Sequence, residues 1–212
     1  LPRIQVLNGS DMALDHYVSQ VHLSNFYSPA LENQMYAMRK SDLKSFPCNS
    51  RSVCRIEEGS TNAYLINDRA IEEFLLGVEP RYNASVAKLR QDKIDKECIH
   101  AIAGFVGYVA CCAPAAMRIH AGPLQSLLES EAAILDKQGL IPKAPPSLGS
   151  KTLTELLTDK EVGFTVDPKY PQSLGISSIT GRVSIYGNSK WEILLNSAPE
   201  CPFFTSDFPL AI

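Results

Sequence analysis

No charged side chain stands between Glu97 and Arg118, and that run constrains the fold more than any other stretch of the chain. At about 1.5 Å per residue, a helix over 97–118 is long enough to cross a bilayer. Its composition argues against a span. Ala, Gly104, Gly107, His100 and the helix-kinking Pro114 dilute the Leu, Ile, Phe and Val that drive insertion. A helix apolar on all sides is otherwise buried on all sides, so the expectation is a central post in a soluble domain. Small residues at Ala103, Gly107, Cys111 and Ala115 mark a stripe along which a neighbouring backbone can come close.

The 212 residues are enough for one domain, 1–212, with a sizeable core. The net charge of −3 comes from interspersed acids and bases, so net charge does not indicate a nucleic-acid partner, although a local basic groove stays open. Of the six cysteines, Cys98, Cys111 and Cys112 sit in the apolar post, where reduced Cys behaves as a small hydrophobe. The expectation is therefore a reducing, cytoplasmic compartment with no membrane span. Cys48 and Cys54 are too far apart for a zinc-knuckle pair. The chain opens Leu1-Pro2-Arg3, without a secretory signal and without an initiator Met, which leaves room for residues before it.

Residues 1–6 alternate like a short strand and end in the turn signal Asn8-Gly9-Ser10-Asp11. Leu14, Tyr17, Val18 and Val21 predict a helix over 14–26, which Pro29 ends. A short strand over 34–39 and an irregular connection over 41–61 follow. Ile71, Phe74, Leu75, Val78, Tyr82, Val86 and Leu89 predict an amphipathic helix pair over 69–90, bent at Pro80. Beyond the post, 124–137 reads as a second amphipathic helix stopped by Gly139, and 141–150 as a Pro-rich linker. A short helix over 152–158, an extended run over 164–170 and a helical segment over 173–185 come next. Two short apolar runs, 190–196 and 202–206, read as a strand pair. The predicted fold class is α+β, predominantly α-helical around a buried central helix, with a small sheet formed near the chain termini.

Candidates for chemistry lie near both ends. His16 and Gln20 are four apart, so a helix would place both on one face and leave His22 off it. Such a pair can hold a metal, orient a water or bind an amide; it can equally cap backbone groups at a helix junction. Thr205-Ser206-Asp207 follows an apolar run and precedes Phe208-Pro209. A carboxylate and hydroxyl at a strand end suit a site held rigidly by the sheet, and they suit an Asx or Ser turn before a proline as well. His100 and His120 fall on different sides of the post, and Glu72, Glu73 and Glu79 read as a solvated helix face. The chain has no Gly-x-Ser-x-Gly, phosphate-binding Gly loop with Lys, His-Glu-x-x-His or dinucleotide fingerprint.

His16-Tyr17-Val18-Ser19-Gln20 followed by Leu23 and Phe26 resembles the opening motif of a mainly bacterial family, the domain of unknown function numbered 4238, which typically reads HYVPQ and then Leu and Phe. Trp191 with Leu194-Leu195, then Phe204-Thr205-Ser206-Asp207-Phe208-Pro209, is similar to that family's later Trp strand and TSDNP. Ile71-Glu72 and Val78-Glu79 fall where the family carries paired Glu, and the Pro114 helix resembles its apolar helix ending in Arg-Thr-Pro. Ser19 stands for the usual Pro, Cys112 for the Arg and Phe208 for the Asn. Where that Arg and Asn serve catalysis, this member would lack it. The chain also stops soon after its TSD motif, which implies that the C-terminal part of the family domain is missing.

The resemblance implies that His16, Gln20, Ser206 and Asp207 share a pocket, and its phage-associated flavour implies a toxin or defence role. Two functions follow as expectations. One is a metal-assisted phosphodiesterase or nuclease, with Asp207 and His16 holding a divalent metal or moving protons, Gln20 and Ser206 orienting substrate and Glu79 as a second carboxylate. The other is a non-enzymatic interaction or structural module in which the same residues tie the N-terminal segment to the last strand.

Overall fold

The computed structural model describes residues 14–198 and 203–210. The helix expected over 14–26 opens instead as a strand. Leu14–His16 (β1) pairs antiparallel with Arg55–Glu57 (β4), Leu14 opposite Glu57 and His16 opposite Arg55. Tyr17 N–H prolongs the pairing by donating to the Cys54 carbonyl at 2.9 Å. Ser19, at φ −57° and ψ 138°, keeps the backbone extended up to the single helical turn α1, Gln20–Leu23. Pairing with a distant strand overrides the helical spacing of the apolar residues here.

Met35–Met38 (β2) and Ser45–Cys48 (β3) form a separate antiparallel hairpin, Met35 opposite Cys48. Residues 41–61, expected to be irregular, thus carry two strands. Val18, Leu23, Met35 and Cys48 make a small core beneath this lobe.

The central post is two helices. Asp95 caps α3, Lys96–Cys112, by accepting the Cys98 N–H at 2.8 Å. Ala113 is then forced extended (φ −65°, ψ 142°) by the proline that follows it. Pro114 therefore starts α4, Pro114–Lys137, at its first turn instead of kinking a longer helix. The expected helix 124–137 is the second half of α4. No single helix among the described residues is long and apolar enough to span a membrane, and α3 and α4 together are bent by 57°.

Ala70–Arg90 (α2) is one helix, not a bent pair. Pro80 is exposed, so the Leu76 carbonyl that loses its donor lies on the solvent side. Helix α2 approaches α3 at Gly104, where an added Cβ would lie 2.7 Å from Val78 Cγ2. Lys169–Ser177 (α6) and Ile179–Asn188 (α7) close the other side of α3. Gly175 of α6 meets Cys111, and Gly107 meets Ile179 of α7, so the small-residue stripe does admit close neighbours. Ile71, Val78, Phe105, Tyr108, Val109 and Ala116 fill the core between them.

The short helix α5, Leu153–Thr158, begins with a reciprocal capping box of Thr152 and Glu155. In 141–150 the described backbone forms only the 3-10 turn Pro146–Leu148. The α+β, mostly helical architecture is as expected, but the four described strands all come from residues 14–57. Residues 190–196 form no strand: Trp191 folds back and donates its indole N–H to the Tyr186 carbonyl at 3.0 Å, closing the end of α7. Residues 1–6 lie outside the described residues, as does part of 202–206.

Candidate functional site

Tyr108 of α3, only 2% exposed, donates its hydroxyl to the His16 carbonyl at 2.7 Å and so anchors the first motif to the core. The His16 ring donates Nε2–H to the Ser50 carbonyl at 3.0 Å. Its Nδ1 then carries the lone pair, facing the Gln20 amide at 3.5 Å. Burial lowers the His16 pKa, with the Arg55 charge acting the same way against the bond to Ser50, and the ring is neutral at pH 7. The expected proximity of His16 and Gln20 holds, although a strand end and a turn bring them together instead of one helix face.

Ser19 is buried and donates to Glu79 Oε1 of α2 at 2.5 Å. A proline at this position could not make that bond. Glu79, expected on a solvated face, is half-buried and faces this hydroxyl.

His22 holds the two motifs together. Its Nδ1 bonds the Tyr82 hydroxyl at 2.8 Å and its Nε2 bonds the Thr205 hydroxyl at 2.9 Å. The ring stacks on Phe105 of α3, centroids 4.9 Å apart at 25°, with Phe26 5.3 Å away. Burial pushes its pKa down to about 4, because a charged imidazolium would have no counter-ion among these aromatic rings. Each hydroxyl can donate or accept, which suits a neutral ring with one N–H and one lone pair. Sequence reasoning set His22 aside because a helix would turn it away from His16. The spacing of His22 to Phe26, four residues on a helical turn, was the signal available.

Thr205 therefore lies against the first motif, and its neighbours point elsewhere. Ser206 is exposed and its hydroxyl accepts the Phe208 N–H at 3.1 Å, a Ser turn before Pro209. Asp207 pairs with Lys40 of the β2–β3 hairpin at 2.5 Å. Its charge reaches Tyr17 and Cys54, and Tyr17, raised chiefly by burial, stands at about 12. The second motif is thus joined to the first through His22. Among the described residues no hydrogen bond or ion pair joins His16 or Gln20 to Ser206 or Asp207, and no three His, Cys, Asp or Glu side chains are grouped to hold a metal.

The family model for proteins of unknown function, DUF4238, matches residues 15–212. This chain belongs to the DUF4238 family. No curated protein and no solved structure matches it. In this DUF4238 member Cys112, at the end of α3, is fully enclosed and burial raises its thiol pKa well above the usual value. Beside it Gln172, wholly buried, donates to the Gly59 carbonyl at 3.1 Å and accepts from the Asn62 amide at 2.9 Å. Lys169 spans the Glu58 and Thr61 carbonyls at 2.6 and 2.9 Å. This network closes the loop after β4 onto α6. The remaining histidines are apart: His120 donates to the Ala110 carbonyl at 3.1 Å, and His100 is exposed.

Beside His16 the surface opens into a polar cleft of about 530 Å³. Gln20, Val21 and Ser24 form one wall, Tyr27 and Asn33 the next, and Asn49, Ser50 and Arg51 of the turn after β3 the third.

Proposed function

We propose that the protein is a non-enzymatic interaction module in which the two motifs are a structural clasp. The observation that carries this reading is His22: its half-buried, neutral ring spends both nitrogens on Tyr82 and Thr205, so the residue that joins the motifs has no ring nitrogen left for a substrate. Ser19 is spent on Glu79, Asp207 on Lys40 and Ser206 on its own turn. A partner surface has material in the exposed Leu194, Leu195, Phe203 and Phe204, the last 92% accessible. The unpaired Cys48, Cys54, Cys98, Cys111 and Cys112 support a reducing, cytoplasmic setting.

A metal-assisted phosphodiesterase or nuclease, with a toxin or defence role, is the second reading. Its support is His16, a neutral imidazole whose unprotonated nitrogen faces Gln20 at the rim of the cleft. Thermal denaturation of wild type, His22→Ala and Asp207→Ala, each with and without Mn, Mg and Zn, separates the two. The clasp predicts a much lower Tm for His22→Ala, a small change for Asp207→Ala and no metal response. A metal that stabilises wild type and does nothing for Asp207→Ala overturns it in favour of the phosphodiesterase.

A further inference from the structure

Unlike the clasp, the cleft beside His16 presents polar groups that the protein leaves unused. Its volume of about 530 Å³ lies in the range of small-molecule sites. Among the described residues the one charged side chain on its walls is Arg51, and no carboxylate lines it. Elsewhere on this lobe Arg39 pairs with Asp42 and Lys40 with Asp207, but Arg51 has no ion pair among the described residues. Arg55, exposed on β4, adds a second positive charge near His16. An occupant of this cleft is therefore anionic at one end.

The other walls carry primary amides. Asn33 is exposed and makes no side-chain hydrogen bond among the described residues. Asn49, on the cleft wall, uses its Oδ1 to accept the Arg51 N–H at 3.0 Å, and its amide donors make no bond among the described residues. Gln20 spends one donor on a long contact to His16 and keeps its carbonyl. Amide donors and acceptors on the three walls match the mixed edge of a nucleobase, and Tyr27 adds an aromatic wall.

The cleft is also held in shape before any ligand arrives. Asn49 N–H donates to Ser52 Oγ at 3.3 Å and Ser52 N–H to the Asn49 carbonyl at 3.1 Å. Ser50, 5% exposed, donates its N–H to the Tyr27 hydroxyl at 3.2 Å, and the two hydroxyls are 2.8 Å apart. His16 holds the Ser50 carbonyl. The bonds that fix this turn consume its backbone amides, so the Arg51 guanidinium is left to meet the anion. Preorganised polar walls lose little entropy on binding.

We infer that this cleft binds a nucleoside monophosphate, or a ligand bearing that group, with the phosphate on Arg51 and the base read by the amides of Gln20, Asn33 and Asn49. The inference is independent of the clasp, since Arg51 and Asn33 make no contact within it.

The test is isothermal titration of the full chain with adenosine and guanosine monophosphates, the two nucleosides, inorganic phosphate and citrate. Arg51→Gln and Asn33→Ala are titrated in parallel, with Tm confirming that each is folded. At least one monophosphate should bind, its nucleoside and inorganic phosphate should bind about tenfold more weakly or worse, and Arg51→Gln should cost about tenfold in affinity at unchanged Tm. The inference is overturned if neither monophosphate binds, if citrate or phosphate binds as tightly as the monophosphates, or if both variants bind like wild type.

Discussion

The clasp and the cleft sit side by side on the same N-terminal lobe, and they treat polar side chains in opposite ways. In the clasp, buried Ser19 and half-buried His22 and Thr205 are bonded across α1, α2 and the C-terminal segment. In the cleft, Arg51, Asn33 and Gln20 face solvent with capacity to spare. Removing a buried, bonded group leaves its partners unsatisfied and costs stability. Removing an exposed, unbonded one costs nothing until a ligand is present. The residues that join the two motifs, His22 and Thr205, are thus those with the least chemistry left to offer.

The largest expected effect is His22→Ala. It empties the space over Phe105 and orphans the Tyr82 and Thr205 hydroxyls, for a loss of about 2–4 kcal/mol in urea unfolding. A value below about 0.5 kcal/mol would make His22 an ordinary surface residue and dissolve the contrast with the cleft. Next is Gly104→Ala, which drives a methyl into Val78 of α2 and should cost about 1–3 kcal/mol. Ser19→Ala leaves Glu79 half-buried without its donor, for about 1–3 kcal/mol. Asp207→Ala breaks only an exposed pair with Lys40 and should change stability by about 0–1 kcal/mol. Arg51→Gln should fall within about 0.5 kcal/mol of wild type.

Acid should act on the clasp before it acts on the cleft. The folded pKa of His22 is about 4, below its ordinary 6.5, so between those values the unfolded chain binds a proton that the folded chain refuses. The stability held by the neutral ring is complete above about pH 6.5 and is lost as pH falls towards 4, at up to about 1.4 kcal/mol per pH unit. His16, also lowered by burial, adds to the same slope. Replacing His22 by Phe keeps an aromatic ring against Phe105 and removes the titration. Unfolding free energies from pH 7 to 4.5 should therefore fall less steeply in His22→Phe, and equal slopes would contradict the buried neutral ring.

How much of this was legible in the sequence depended on how local the deciding interaction was. The buried core helix followed from an uncharged run alone, because nothing but burial suits such a helix. Its break at Ala113 was the more demanding inference: Pro114 restricts the residue before it, so the chain ends one helix and starts another at the same point. Residues 14–26 misled because their apolar spacing fits a helix, while the Tyr17 and His16 backbones are claimed by a strand some forty residues away. That error hid His22. In 190–196 no strand forms, and Trp191 bonds the end of α7 instead. Motif order says nothing about which atoms touch. His16, Gln20, Ser206 and Asp207 were the polar residues in view, whereas Thr205 and His22 make the contact. The cleft was invisible for the same reason, since its walls come from three segments with no shared pattern.

The most direct test of the clasp is a double-mutant cycle in urea between His22→Ala and Thr205→Val, with the Tm of each variant as a check on folding. The account predicts that the two losses are not additive, with a coupling of about 0.5–2 kcal/mol carried by the bond between the motifs. Additive losses would mean that His22 and Thr205 stabilise the fold separately, and that the two motifs are neighbours without being joined.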